Sequence, residues 1–194
     1  DFVRWFRQAA PYLHAFGERT FVIGFGGELI AERARFAQFI QDLNLLAALE
    51  THLGLPGGTI KVYVLVEQLE ACFQLMEIRA ALGGHFVGFN TGRWDYINSV
   101  ADALAWNPAF VNPNIDAITM TYGYMRNYED RVRRAVNTPD QAGHFALWQG
   151  GMEPNIPVGS EAGVTAAMKR AVAGSEREQR EGASGKWVAH WKMV

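Results

Sequence analysis

The chain has 194 residues, 49% apolar and 20% charged, with a formal net charge of −2, the composition of an ordinary globular protein. That near-neutral charge gives no basis for a nucleic-acid or anionic-membrane partner. No apolar run approaches the roughly 18 residues of a membrane span, and no signal peptide is visible. The single cysteine, Cys72, excludes an intrachain disulfide and a cysteine-based zinc cluster, and fits a reducing, cytoplasmic compartment.

In chain order, residues 1–16 read as an amphipathic helix interrupted at Pro11. Residues 20–25 (TFVIGF) read as a strand that turns at Gly26-Gly27-Glu28 into a helix over 29–49. That turn is either a tight structural turn or a loop whose N–H groups cradle an anion. Pro56-Gly57-Gly58 opens a β-branched run, residues 59–66, that predicts a strand ending at Glu67. Apolar residues at 69, 72, 73, 75, 76, 80 and 82 predict a helix stopped by Gly83-Gly84. Residues 85–90 then predict a second strand, running into Gly92-Arg93-Trp94-Asp95.

This is a βαβ unit with an expected right-handed crossover between parallel strands. Neighbouring strand ends lie roughly 5 Å apart, so Glu67 and Asp95 can address one point, a pattern that suits Mg²⁺. Taken singly, Glu67 reads equally as a strand-end carboxylate capping the next turn, and Asp95 as the N-cap of a helix starting at Tyr96.

Further along, the pattern predicts helices over 96–106 and 115–136, a short strand over 145–148, and a turn at Gly150-Gly151-Met152. A helix over 161–181 follows, in which Glu-Arg-Glu-Gln-Arg-Glu (176–181) reads as a solvated face, and a last strand covers 186–191. Alternating strands and helices imply an α/β fold, a partial TIM-barrel-like parallel sheet with helices preceded by a short helix-strand-helix segment. A chain stopping on an apolar strand suggests a truncated barrel.

The segments LGLPGGTIKVYVLVEQLEACFQLMEI, VGFNTGRWDYI, ALWQGGMEPNIPV and EREQREGASGKWVAH, in this order, resemble malate synthase of the shorter, non-G type over residues 51–194. The resemblance implies part of a TIM barrel that condenses acetyl-CoA with glyoxylate to give malate and CoA. It further implies Mg²⁺ held by Glu67 and Asp95, and a glyoxylate carboxylate bound by backbone N–H groups at Gly92, Arg93 and Trp94. The family's base, an Asp beyond the barrel, and its enolate-stabilising Arg, from an early strand, have no motif match here. The chain alone is therefore expected to be inactive.

Residues 1–49, with DFVRWFRQAAPYLHAF, RTFVIGFGGELIA and QDLNLLAAL, are similar instead to the start of bacterial N-acetylglutamate synthase. The domain expectation is a helix-strand-helix segment over 1–50 and the barrel fragment over 51–194. The junction reads as a splice of two families: natural, engineered or an assembly error. The alternative functions are an arginine-binding regulatory module and a chimera without function. Trp148 and Met152 read as cavity lining or core, Cys72 and His190 as packing residues.

Overall fold

The computed structural model describes residues 22–25 and 44–194, and they form a five-stranded, fully parallel sheet whose strands lie in chain order. The strands are β1 (Val22–Phe25), β2 (Lys61–Val66), β3 (Phe86–Thr91), β4 (Leu147–Glu153) and β5 (Gly185–Val188). Strands added in sequence order through helical connections are the pattern of a TIM-barrel wall. The helices are α1 (Leu75–Leu82), α2 (Arg93–Ala103), α3 (Gly123–Asn137) and α4 (Glu161–Glu181). Among the described residues no helix is long and apolar enough to cross a membrane.

The expected helix over 1–16, the Gly26-Gly27-Glu28 turn and most of the 29–49 helix lie outside the described residues. Residues 44–52 are helical, so the expected boundary at residue 50 falls within a helix, and β1 pairs in register with β2 (Val22↔Lys61). Glu50, buried in that helix, accepts the N–H groups of Gly58 (2.8 Å) and Ile60 (2.6 Å) and so fixes the entry into β2.

Lys61–Val66 forms a strand because β-branched and aromatic side chains fit a pleated surface. Val62, Val64 and Val66 are buried, and the core they join includes Ile78 and Leu82 of α1 and Met125, Tyr128 and Val132 of α3. Phe89 pairs with Val64 on one side and Trp148 on the other, carrying the same core row across the sheet. Trp148 is fully buried in this core, and its indole N–H donates to Thr91 Oγ1.

Several elements depart from the sequence expectation. The helix expected from Leu69 is split: Ala71–Phe73 forms a 3₁₀ turn, Gln74 leaves helical geometry (φ −122°, ψ 21°), and α1 starts only at Leu75. The long helix begins at Gly123, after a separate 3₁₀ turn at Ile115–Ala117. Gly150-Gly151-Met152 is strand, not turn, and the pairing with β5 shifts register there. A Cβ at Gly150 would lie 2.1 Å from Glu178 Oε2, and one at Gly151 2.7 Å from Thr91 O. These glycines therefore admit neighbouring groups rather than bend the chain. The last strand ends at Val188 and a 3₁₀ turn follows at Trp191–Met193. By contrast α4 spans Glu161–Glu181 as expected, capped by Ser160, which accepts the Gly163 N–H, and by Gly182 in left-handed geometry.

The run 176–181 is not merely a solvated face. Arg177 makes a two-pronged bond to Glu129 of α3 (2.9 and 2.8 Å), while Lys186 of β5 meets Glu178 (3.0 Å) and Glu153 (3.3 Å). All three carboxylates are buried, so this network locks α3, α4, β4 and β5 together. Burial pushes the Glu178 carboxyl up, against the opposing pull of Lys186 and Arg177. A raised folded-state pKa means a stabilising contribution that is complete below the ordinary value of 4.5 and lost as pH rises through the folded value. Asp130, held low by Arg133, and Asp140, held low by the His144 N–H, work in the opposite sense. We therefore predict that E178Q, compared with the parent by urea denaturation from pH 4 to 8, loses less stability as pH rises. A constant difference between the two chains would contradict this.

Candidate functional site

Glu67 follows the last residue of β2, and Asp95 lies in the first turn of α2, directly after β3. Because β2 and β3 are adjacent and parallel, with Val66 opposite Thr91, both carboxylates come to one end of the sheet. They line a single cleft of about 430 Å³, shared with Gln68, Glu70, Asn98, Ser99 and Asp102. Among the described residues no Lys, Arg or His lines this cleft. Glu67 is half-buried and Asp95 is exposed. The cleft wall is tied together where Ser99 Oγ of α2 accepts the Leu69 N–H at 3.0 Å.

Helix α2 starts earlier than the sequence suggested: Gly92, not Asp95, is the N-cap, and Arg93, Trp94 and Asp95 form the first turn. The reading of Asp95 as a helix cap therefore does not hold, and its carboxylate is not spent on a capping bond. Helix initiation at this point leaves first-turn N–H groups without intrahelical partners and places the positive end of the helix dipole there. The Gly92 N–H itself is taken, donated to Val66 O at 3.3 Å.

Gly92 is required by contact rather than by backbone conformation. Its φ and ψ (−78°, 79°) are open to any residue. A methyl group there, however, would lie 2.6 Å from Glu67 Cβ and 2.8 Å from Glu67 Oε2. The Glu67 side chain thus lies directly over the turn that carries Asp95.

Arg93 was expected to contribute only its backbone, but its side chain has its own place. The guanidinium donates to Ile118 O (2.8 Å) and stacks over the Trp94 ring at 4.3 Å. Burial, reinforced by the nearby Arg177, lowers its pKa from the ordinary arginine value. Arg93 and Trp94 border a second cleft of about 270 Å³, with Met152, Asn155, Arg170 and Lys186. Met152 is exposed in that cleft, whereas Trp148 belongs to the core. Cys72 is buried, with its thiol pKa raised by burial. His190 accepts the Lys192 N–H and caps the final 3₁₀ turn. Sequence reasoning missed the Arg93 side-chain tether, since neither Ile118 nor Arg177 is near it in the chain.

Replacing Gly92 by Ala should cost about 1–3 kcal/mol of stability through this overpacking. Removing the Glu67 side chain should relieve it. In a thermal-denaturation double-mutant cycle of Gly92→Ala and Glu67→Gly, a favourable coupling of about 0.5–3 kcal/mol is expected. Strict additivity would show that the two positions do not touch.

Comparison with known proteins agrees with the fold. The family described as malate synthase, TIM barrel domain, matches residues 31–194. Malate synthase of Streptomyces clavuligerus is 37% identical over 160 residues, covering 81% of this chain and 28% of that protein. Malate synthase A of Escherichia coli K12 is 38% identical over 141 residues, covering 73% and 26%. The chain thus spans little more than a quarter of the length of these relatives. Among solved structures, the Haloferax volcanii malate synthase in its pyruvate/acetyl-CoA ternary complex superposes with a TM-score of 0.55 at 16% identity, over 88% of this chain and 38% of that one. A parallel sheet laid down in chain order and a family match over most of the sequence lead to one conclusion: the chain belongs to the malate synthase family, as part of its TIM barrel domain.

Proposed function

We propose that the cleft between β2 and α2 is the metal and glyoxylate site of a malate synthase, with Glu67 and Asp95 as the protein ligands of Mg²⁺. The reading rests on one observation above all: the Glu67 side chain packs on Gly92, in the turn that bears Asp95, inside one acidic cleft. The donor set fits the ion. Mg²⁺ takes hard oxygen ligands, retains several waters and is commonly bound through one or two carboxylates plus substrate oxygens. A half-buried carboxylate beside an exposed one leaves room for those waters and for substrate.

Bound there, Mg²⁺ would act as a Lewis acid on the glyoxylate aldehyde. The remaining tasks belong to the chain. In this reading the first-turn N–H groups of Arg93 and Trp94, at the positive end of α2, would meet the glyoxylate carboxylate. Gly92 contributes by its lack of a side chain, since its N–H is held by Val66 O. Anchoring of the Arg93 guanidinium on Ile118 O and Trp94 keeps a cation from neutralising the acidic cleft. Acetyl-CoA would be the second substrate, and its condensation with glyoxylate the reaction this site serves.

Isothermal titration calorimetry tests the reading on the chain itself. Glyoxylate should bind in the presence of Mg²⁺ and not after chelation, and Glu67→Ala or Asp95→Ala should each abolish the heat. Metal-independent glyoxylate binding, or binding of arginine alone, would contradict the assignment.

A further inference from the structure

The far side of the Val66 carbonyl carries a contact that the metal reading does not use. Val66 is the last residue of β2, immediately before Glu67. A carbonyl oxygen has two lone pairs. One accepts the Gly92 N–H at 3.3 Å, the last bond joining β2 to the turn after β3. The other accepts the hydroxyl of Tyr128, a fully buried residue of α3. A single oxygen therefore joins three elements: the strand that leads into Glu67, the turn that leads into Asp95, and helix α3.

Tyr128 is itself held in place. Its ring stacks on that of Tyr96 in α2, with centroids 3.9 Å apart and planes 8° from parallel. Burial raises its pKa well above the ordinary tyrosine value, so the hydroxyl keeps its proton and remains a donor. The peptide unit that leads into Glu67 is thereby clamped on both sides. Rotation of that unit would break a bond to Gly92 or a buried bond to Tyr128, and would swing the Glu67 side chain off the turn.

We infer that Tyr128 is a positioning residue for the metal site: its hydroxyl fixes the Val66 carbonyl, and through it the direction of the Glu67 carboxylate relative to Asp95. The inference rests on the metal reading given above. Groups that orient a metal ligand typically contribute 10- to 100-fold to affinity. Tyr128→Phe deletes only the hydroxyl and leaves the ring stack, so the expected loss of divalent-metal affinity is about 10-fold or more. Tyr96→Phe is the matched control, because it removes the hydroxyl of the other ring in the same stack, and that hydroxyl meets Cys72 rather than Val66.

The experiment titrates the chain with Mn²⁺ as a spectroscopic stand-in, following free and bound ion by electron paramagnetic resonance, with thermal denaturation of each variant in parallel. The expected result is weakened binding and an altered bound-ion spectrum for Tyr128→Phe, with Tyr96→Phe close to the parent in both. Equal affinity and identical spectra for Tyr128→Phe and the parent would overturn the positioning role while leaving the metal site intact. Equal losses in both variants, in proportion to lost stability, would assign the effect to the stack and also overturn it. Absence of Mn²⁺ binding by the parent would overturn the metal reading and this inference with it.

Discussion

The close approach of Glu67 to Gly92 is the constraint on which the site depends. Two parallel strands deliver their C-terminal ends side by side, but adjacency of backbones alone does not bring side chains together. Here the turn after β3 has no side chain at residue 92, so the Glu67 side chain occupies the space a Cβ would fill. The Val66 carbonyl binds the same turn through its N–H. Strand pairing, a missing methyl group and one shared carbonyl thus bring a glutamate and an aspartate to the same cleft, although 28 positions separate Glu67 from Asp95 in the chain.

Charge is sorted around this turn with equal economy. Acidic residues 67, 70, 95 and 102 line one cleft with no cation among the described residues. The cations nearest the turn face elsewhere: Arg93 is held by Ile118 O, and Arg177 and Lys186 by buried carboxylates. Carboxylates near a helix N-terminus gain from its dipole, and carboxylate oxygens are the donors a hard cation takes. Burying the ion pairs between α3, α4 and β5 is costly unless they are fully partnered. Arg177 and Glu129 meet that condition with a two-pronged bond.

Much of the fold was legible in the residues. The strand at Lys61–Val66 carries a valine at every second position, and α4 spans the expected 161–181 between a serine and a glycine cap, because these signals are local. The juxtaposition of strand end and GRWD turn was legible too, since neighbouring parallel strands bring their C-terminal ends to the same edge. What escaped the sequence depends on distant groups. Gly150 and Gly151 look like a turn but serve as strand residues, because Glu178 and Thr91 need the space where their side chains would be. Arg177 and Glu178 look like solvated surface until Glu129 and Lys186 come beside them. The start of α2 three residues early follows from Gly92 acting as cap, and helix ends are the least determined part of any local pattern.

Paramagnetic broadening by Mn²⁺ in a ¹⁵N-labelled chain most directly tests whether Glu67 and Asp95 together hold the ion. The cleft offers a rival pair, Glu70 and Asp102, on the same wall. The account predicts that substoichiometric Mn²⁺ first erases the amide signals of residues 66–68 and 93–96, and that Asp95→Asn preserves both sets of signals. Broadening centred on residues 70 and 102, or unchanged by Asp95→Asn, would contradict it.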